Sequence, residues 1–136
     1  MVELALTVTD FESPERWRWV LTGQGGRVLA DHAVRLDAHD WRREAFGDLD
    51  GYLRVHAAPD HRLRREAEIV AEVSAWAGRE VLGQVGAALH EAARAGPVTA
   101  RVVVPDEPPA ARQVAYLPLD LPTRRASRWL FRASPW

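Results

Sequence analysis

Arg62-Leu-Arg-Arg-Glu-Ala-Glu-Ile-Val-Ala-Glu-Val-Ser-Ala-Trp-Ala-Gly78 is the stretch that decides the fold class of this chain. Its apolar residues recur at spacings of three and four, which is the period of an amphipathic helix. The apolar positions are Leu63, Ala67, Val70, Val73, Ala77 and Val81, and Ile69 and Trp76 widen the stripe. Arginine and glutamate occupy the other side of the pattern. Gly78 and Gly83 interrupt the period, so a bend is predicted near these two residues.

A shorter helix and a strand follow the bend. The helix passes through Val85 and Leu89 and ends at Gly96-Pro97, because this dipeptide is a strong termination signal. The next segment is Pro97-Val-Thr-Ala-Arg-Val-Val-Val-Pro105. Its β-branched residues between two prolines predict a buried strand. Because the sequence shows both helical periods and strand patterns, it predicts an α+β domain.

The N-terminal part of the chain alternates between apolar and polar residues, which is the period of half-buried strands. The apolar members are Val2, Leu4, Leu6 and Val8; then Trp17, Trp19 and Leu21; then Val28, Ala30, His32, Val34 and Leu36. Residues 10–14 and the sequence Gly23-Gln-Gly-Gly26 separate the three runs as turns. Three strands joined by short turns predict an antiparallel meander.

Two further elements complete the predicted architecture. Residues 41–57 carry a helical stripe, and Asp37 is predicted to cap that helix. Residues 113–119 are predicted as one more strand, which forms a C-terminal strand pair with residues 98–104. The expected fold is therefore α+β, with an N-terminal antiparallel three-stranded meander, two to three helices packed on one face and a C-terminal strand pair.

Length and composition limit the classes of function. The chain has 136 residues, which predicts a single domain over residues 1–122 and a basic-aromatic C-terminal tail over 123–136. A net charge of -1 argues against nucleic acid and anionic membranes as partners. No apolar run approaches the ~20 residues of a membrane span, and no basic segment precedes an apolar one at the start. We therefore expect a cytoplasmic protein without a signal peptide.

The sequence contains no pattern that points clearly to catalysis. Because there is no cysteine, thiolate nucleophiles, disulfides and cysteine-based zinc sites are excluded for these residues. The five histidines, His32, His39, His56, His61 and His90, form no metal-binding motif. Four of them adjoin an acidic residue, but neighbours on a helix or strand point apart. The prediction is no catalytic residue, no metal and no cofactor. Trp17 and Trp19 are predicted to be buried under a helix rather than to stack on a ligand.

The C-terminal tail combines arginines with aromatic residues and has no settled period. Its residues of this kind are Arg124, Arg125, Arg128, Trp129, Phe131, Arg132 and Trp136. A tail of this composition is either a frayed terminus or a segment that docks on a partner. The residues proposed for docking are Arg128, Trp129, Phe131 and Trp136. The strand after Pro97 is expected to offer an exposed edge as a second contact.

Several short blocks together resemble a known family. They are Leu29-Ala-Asp-His-Ala-Val-Arg-Leu-Asp37, Glu44-Ala-Phe-Gly-Asp-Leu-Asp-Gly-Tyr-Leu53, Glu68-Ile-Val-Ala-Glu-Val-Ser-Ala-Trp-Ala77 with Val81-Leu-Gly83, Val98-Thr-Ala-Arg-Val-Val-Val-Pro105 and Leu117-Pro-Leu-Asp-Leu121. They resemble the region that opens actinobacterial CHAT-domain proteins, which are caspase-like. The family's His-Cys dyad has no counterpart here, because the chain has no cysteine and no block around its histidines matches. The resemblance implies a non-catalytic leading module.

Three functions follow as hypotheses. The first is an interaction or regulatory module that docks on a protein partner, either a caspase-like peptidase or a sensor. The second is a stand-alone hydrolase, which needs two of the five histidines and a carboxylate in one pocket. The third is a small-ligand-binding domain, which needs an apolar cavity of roughly a few hundred Å³ between the meander and the long helix.

Overall fold

The fold is a mixed β-sheet with helices packed against one of its faces. The computed structural model describes residues 2–56 and 62–121, together with the backbone alone at 129–133. The strands are β1 (Val2–Ser13), β2 (Arg16–Thr22), β3 (Val28–Arg35), β4 (Val98–Val103) and β5 (Trp129–Ala133). The α-helices of the described residues are α1 (Trp41–Gly47), α2 (Leu49–His56), α3 (Arg62–Ala77) and α4 (Gly83–Arg94).

The sheet has five strands in the order β3-β2-β1-β4-β5. β1, β2 and β3 are antiparallel neighbours, which confirms the predicted N-terminal meander and the α+β class. The helices connect β3 to β4, which lies parallel to β1 on the other side of the meander. β5 is parallel to β4. All five strands therefore belong to one sheet, with β3 and β5 at its two ends.

The C-terminal strand pair is present, but its second member was assigned to the wrong residues. Pro109–Tyr116 forms a 3₁₀ helix in place of the strand predicted at 113–119. A proline at the start fits the first turn of a helix, and Ala111 and Val114 are both buried at the three-residue spacing that 3₁₀ geometry favours. The strand that pairs with β4 is β5, in the segment predicted as a tail.

β4 is an interior strand, which contradicts the prediction that the strand after Pro97 is an exposed edge. It lies between β1 and β5, so strands flank it on both sides. Its Thr99 is buried even though this residue faces away from the helices. An apolar run of this kind is typical of a parallel strand in the interior of a sheet, which fits the place of β4 between β1 and β5.

The core lies between the sheet and the helix layer, because residues of β1, β2, β3 and β4 are buried there. The buried sheet residues are Leu4, Leu6, Val8, Trp17, Trp19, Leu21, Val34, Val98, Ala100 and Val102. Burial of Trp17 and Trp19 confirms their predicted place under a helix, and their rings meet edge to face at 5.7 Å. From the helix layer, Phe46 of α1 packs edge to face on Trp76 of α3 at 5.8 Å.

The helix predicted over 41–57 is divided in two at Asp48. This residue ends α1 with a non-helical backbone (φ -149°, ψ 77°), and its Oδ1 accepts a hydrogen bond from the Gly51 N–H at 3.2 Å. The predicted cap at Asp37 was also wrong by three residues. Asp40 is the N-cap of α1 and accepts from the Arg42 N–H at 2.9 Å. The Asp37 carboxylate instead accepts from the His39 N–H in the preceding turn.

Removal of the Asp40 cap is expected to lower the free energy of unfolding by about 1 kcal/mol in Asp40→Ala, a typical value for an N-cap. A hydrogen bond from the Arg42 side chain holds the pKa of Asp40 below its ordinary value. A lowered folded-state pKa stabilises the protein above pH ~4, and this contribution is lost as the pH falls. The difference between Asp40→Ala and the parent protein should therefore shrink below pH ~4 in urea unfolding. Asp37→Ala is the control, and its loss should stay below about 0.5 kcal/mol.

The predicted bend near Gly78 and Gly83 is confirmed and defines a structural feature that we call the α3–α4 junction, residues 78–83. Gly78–Leu82 forms a turn of π-helix, and Gly83 has a left-handed φ of 50° with ψ -127°. This geometry frees carbonyl groups of the helix. The Trp19 indole N–H donates to the Val81 carbonyl at 2.9 Å, and His32 Nε2 lies 3.0 Å from the Glu80 carbonyl. Trp19 and His32 are opposite each other in β2 and β3, so one cross-strand pair holds two consecutive carbonyls.

Candidate functional site

The feature with the clearest capacity for binding is the outer side of β3, which we call the β3 edge and define as residues 28–35. β3 is the terminal strand of the sheet, and among the described strands it pairs with β2 alone. Its eight residues exceed the ~5–6 residues of a typical strand. A long terminal strand presents a row of unpaired backbone groups that another chain can use.

The hydrogen-bonding pattern identifies the residues whose backbone points outward. The Leu36 N–H donates to the Glu15 carbonyl at 2.8 Å, next to the opposed pair Arg16 and Arg35. In an antiparallel ladder, this bond marks Arg16–Arg35 as a pair that exchanges no hydrogen bonds itself. The pattern alternates along the strand. Ala30, His32 and Val34 therefore direct their backbone groups toward β2, and Asp31, Ala33 and Arg35 direct theirs away from it.

Side chains leave the β3 edge accessible. Asp31, Ala33 and Arg35 are all exposed. At the start of the strand, Val28 and Leu29 are 60% and 41% exposed, which is unusual for large apolar residues in this chain. Natural proteins often protect an edge with proline, lysine or a bulge that turns the strand away. The outer positions of β3 carry no proline, and their two charged residues, Asp31 and Arg35, flank the small Ala33.

On the face of the sheet that the helices do not cover, some charged side chains form ion pairs and Arg35 does not, within the described residues. Asp31 forms an ion pair with Arg18, which also lies 3.8 Å from a carboxylate oxygen of Asp10. Arg35 faces Arg16 across the β2–β3 pair, and like charges in this position destabilise a sheet. Arg16 has a partner in Glu12 at 3.8 Å. Within residues 2–56 and 62–121, no ion pair involves Arg35.

The docking residues predicted in the tail are only partly placed. Arg128 and Trp136 lie outside the described residues. Trp129 and Phe131 belong to β5, where their backbone positions are opposite Val98 and Ala100 of β4. The division between residues 1–122 and 123–136 stays a prediction, although the backbone of 129–133 continues the same sheet.

The histidines that are described belong to separate local structures. His32 contacts the α3–α4 junction, the His39 backbone N–H donates to Asp37, and His56 stacks on Tyr52 with ring centres 4.1 Å apart. His90 is exposed on α4, and His61 lies outside the described residues. In the part of the chain that the structure describes, no three histidines or carboxylates come together in a group that could hold a metal ion.

Open hollows lie at the surface of the described residues, and the three that follow are lined by residues outside α3. One of about 480 Å³ lies between α1 and the 3₁₀ helix, where Arg43 meets Val114 and Leu117. A second of about 550 Å³ lies along α2 beside Tyr52. Burial and the nearby Glu44 carboxylate raise the pKa of Tyr52 above its ordinary value. The third, of about 470 Å³, lies at the end of the sheet and is lined by charged residues such as Arg16 and Glu12. None of the three is the predicted apolar cavity between the meander and the long helix.

Sequence patterns identified β3 as a strand but did not show that it is terminal in the sheet.

No helix of the described residues has the length and apolar character required to cross a membrane. Comparisons of the chain with protein-family models, with curated proteins and with solved structures find no significant match. The resemblance to CHAT-domain proteins therefore stays a prediction, and the geometry of the β3 edge is the basis for a functional proposal.

Proposed function

We propose that this chain is a non-catalytic interaction module that binds a protein partner by adding a strand of that partner to the β3 edge. The observation that carries the proposal is the outward backbone of Asp31, Ala33 and Arg35 on an exposed terminal strand. In strand addition, main-chain hydrogen bonds supply affinity and alternate side chains supply specificity.

The side chains of the β3 edge indicate what such a partner strand contains. The exposed Val28 and Leu29 favour apolar residues at one end of the added strand. Asp31 and Arg35 favour residues of opposite charge further along. The resemblance to the opening region of CHAT-domain proteins motivates a caspase-like peptidase or a sensor as the protein that supplies this strand.

Ala33→Pro is expected to weaken binding of such a partner by at least about tenfold, which corresponds to the loss of one or two hydrogen bonds. Proline removes the outward N–H and places its ring where the partner strand would lie. The ladder with β2 is unaffected, because the Ala33 N–H is not part of it, and terminal strands tolerate proline in this orientation. The measurement is calorimetric titration with a caspase-like protein, if one is found among the products of the neighbouring genes.

Ala33→Val is the matched control, because valine keeps the N–H and favours a strand. We expect this variant to bind within about threefold of the parent protein, since its backbone hydrogen bonds are intact. Thermal unfolding of both variants shows whether the sheet is retained. Equal affinity of the parent protein and a folded Ala33→Pro variant would contradict binding at the β3 edge.

A further inference from the structure

We infer that the β3 edge also binds a second copy of this chain, whose β3 pairs antiparallel with the first about a twofold axis at Ala33. The inference rests on the proposed function, because it uses the same edge and names one occupant of it. A twofold dimer is isologous, so each residue that contacts a given position of the partner is contacted in return. In such a pair, each residue of β3 lies opposite the residue at the same distance on the other side of the axis, and these two residues must be compatible.

Only one position of the axis along β3 makes the charges complementary. With the axis at Ala33, Asp31 of each copy lies opposite Arg35 of the other. An axis at Asp31 or at Arg35 places like charges opposite each other, which is unfavourable. An axis at His32 or Val34 pairs one charged residue with Ala33 and forms no ion pair. Because Ala33 lies midway between the two charges, the strand itself specifies the register.

The same register uses the outward backbone groups. Ala33 faces Ala33 of the second copy, and both residues belong to the set whose N–H and carbonyl groups point away from β2. Opposed residues of this kind exchange two hydrogen bonds in an antiparallel ladder. The Asp31–Arg35 pairs on either side are equivalent. The five strands of each copy then join in one continuous sheet, with both helix layers on the same face.

The local charge distribution also favours a second copy. Arg35 is exposed beside Arg16, and no carboxylate of the described residues forms an ion pair with it. Asp31 of the second copy supplies that carboxylate. The Asp31 side chain is 51% exposed although it already pairs with Arg18, so it remains accessible to a second guanidinium. Each dimer would thus contain two clusters in which one carboxylate lies between two arginines.

The test measures the mass of the purified full chain by sedimentation equilibrium. An interface of one strand pair is small and implies weak association, so the series should span roughly 1 µM to 1 mM. We expect reversible dimers. Asp31→Arg and Arg35→Asp should each raise the dimer dissociation constant by more than about tenfold, because like charges then lie opposite each other. The double variant restores opposite charges and should return to within about threefold of the parent protein.

Two further variants separate the interface from the fold. Ala33→Pro should be monomeric while its thermal unfolding stays cooperative. Asp10→Asn is the matched control, because Asp10 also neighbours Arg18 but lies in β1, which β2 separates from β3. Its dimer dissociation constant should change by less than about twofold.

The possible results distinguish this inference from the proposed function. A chain that stays monomeric up to roughly 1 mM, or a dimer unaffected by Ala33→Pro and by the charge reversals, overturns the inference. If that monomer binds another protein in an Ala33-dependent manner, the proposed function still stands. Dimers that the double charge reversal restores support the inference, even if no other protein binds and the proposed role fails.

Discussion

Trp19→Ala is expected to lower the free energy of unfolding by about 4–8 kcal/mol, the sum of a buried tryptophan truncation and a buried carbonyl left without its donor. Trp19 is fully buried, packs on Trp17 and donates to the Val81 carbonyl in the α3–α4 junction. The loss is comparable to the total stability of a small domain, which is about 5–15 kcal/mol. Urea unfolding followed by far-UV circular dichroism measures it, and an unfolded variant would agree with the upper part of the range.

Comparison of Trp19→Phe with Trp17→Phe isolates the hydrogen bond from the loss of volume. Both indoles are buried and lie edge to face with each other. The Trp17 N–H has no acceptor within the described residues, whereas the Trp19 N–H has one. We expect Trp19→Phe to cost about 1–3 kcal/mol more than Trp17→Phe, because only the former leaves a buried carbonyl unpaired. Equal losses for the two variants would show that the Trp19–Val81 bond contributes nothing to stability.

Local patterns predicted the strands and helices that lie near the core. Alternation around Trp17 and Trp19 gave the correct buried face of β2, because half-buried strands have a period of two. Gly78 and Gly83 indicated the bend between α3 and α4, because glycine is where a helical pattern is most easily interrupted. These predictions depend on neighbours in sequence, and such neighbours determine local conformation.

Long-range pairing explains the features that local patterns missed. The segment 113–119 contains Val114 and Leu117, and this composition suits either a strand or a helix packed on apolar neighbours. Pro109 occupies the first position of the 3₁₀ helix, where proline favours a helical turn over a strand. β5 has no settled period, and its place beside β4 depends on residues some thirty positions away. The free edge of β3 likewise results from the strand order, which no local pattern records.

The α3–α4 junction and the β3 edge are linked through His32. This residue belongs to the inward set of β3, and its ring contacts both the Glu80 carbonyl and Gly83. α4 also packs on β3, so the helix layer supports the terminal strand from one face. A strand that is already held in its extended conformation loses less conformational entropy when a second strand binds to it. Rigidity at the junction should therefore favour binding at the edge.

Gly83→Ala is expected to lower the free energy of unfolding by about 2–6 kcal/mol, by adding backbone strain to steric overlap. Gly83 combines φ 50° with ψ -127°, a conformation that residues with a Cβ adopt at a cost of about 1–3 kcal/mol. A Cβ at this position would also overlap the His32 imidazole. Relief of that overlap requires β3 or the junction to move, and dense packing opposes such a shift. Urea unfolding measures the loss.

His32→Ala separates the two contributions to the Gly83 effect. In a His32→Ala background the imidazole is absent, so Gly83→Ala should cost only its backbone strain, about 1–3 kcal/mol. The coupling between the two substitutions in a double-mutant cycle is then about 1–3 kcal/mol. Gly86→Ala is the matched control within α4, since its Cβ would lie 3.1 Å from the Leu82 Cβ but would not meet His32, and its φ is not left-handed. Full additivity of Gly83→Ala and His32→Ala would mean that the ring moves away freely, and that His32 does not fix β3 against the junction.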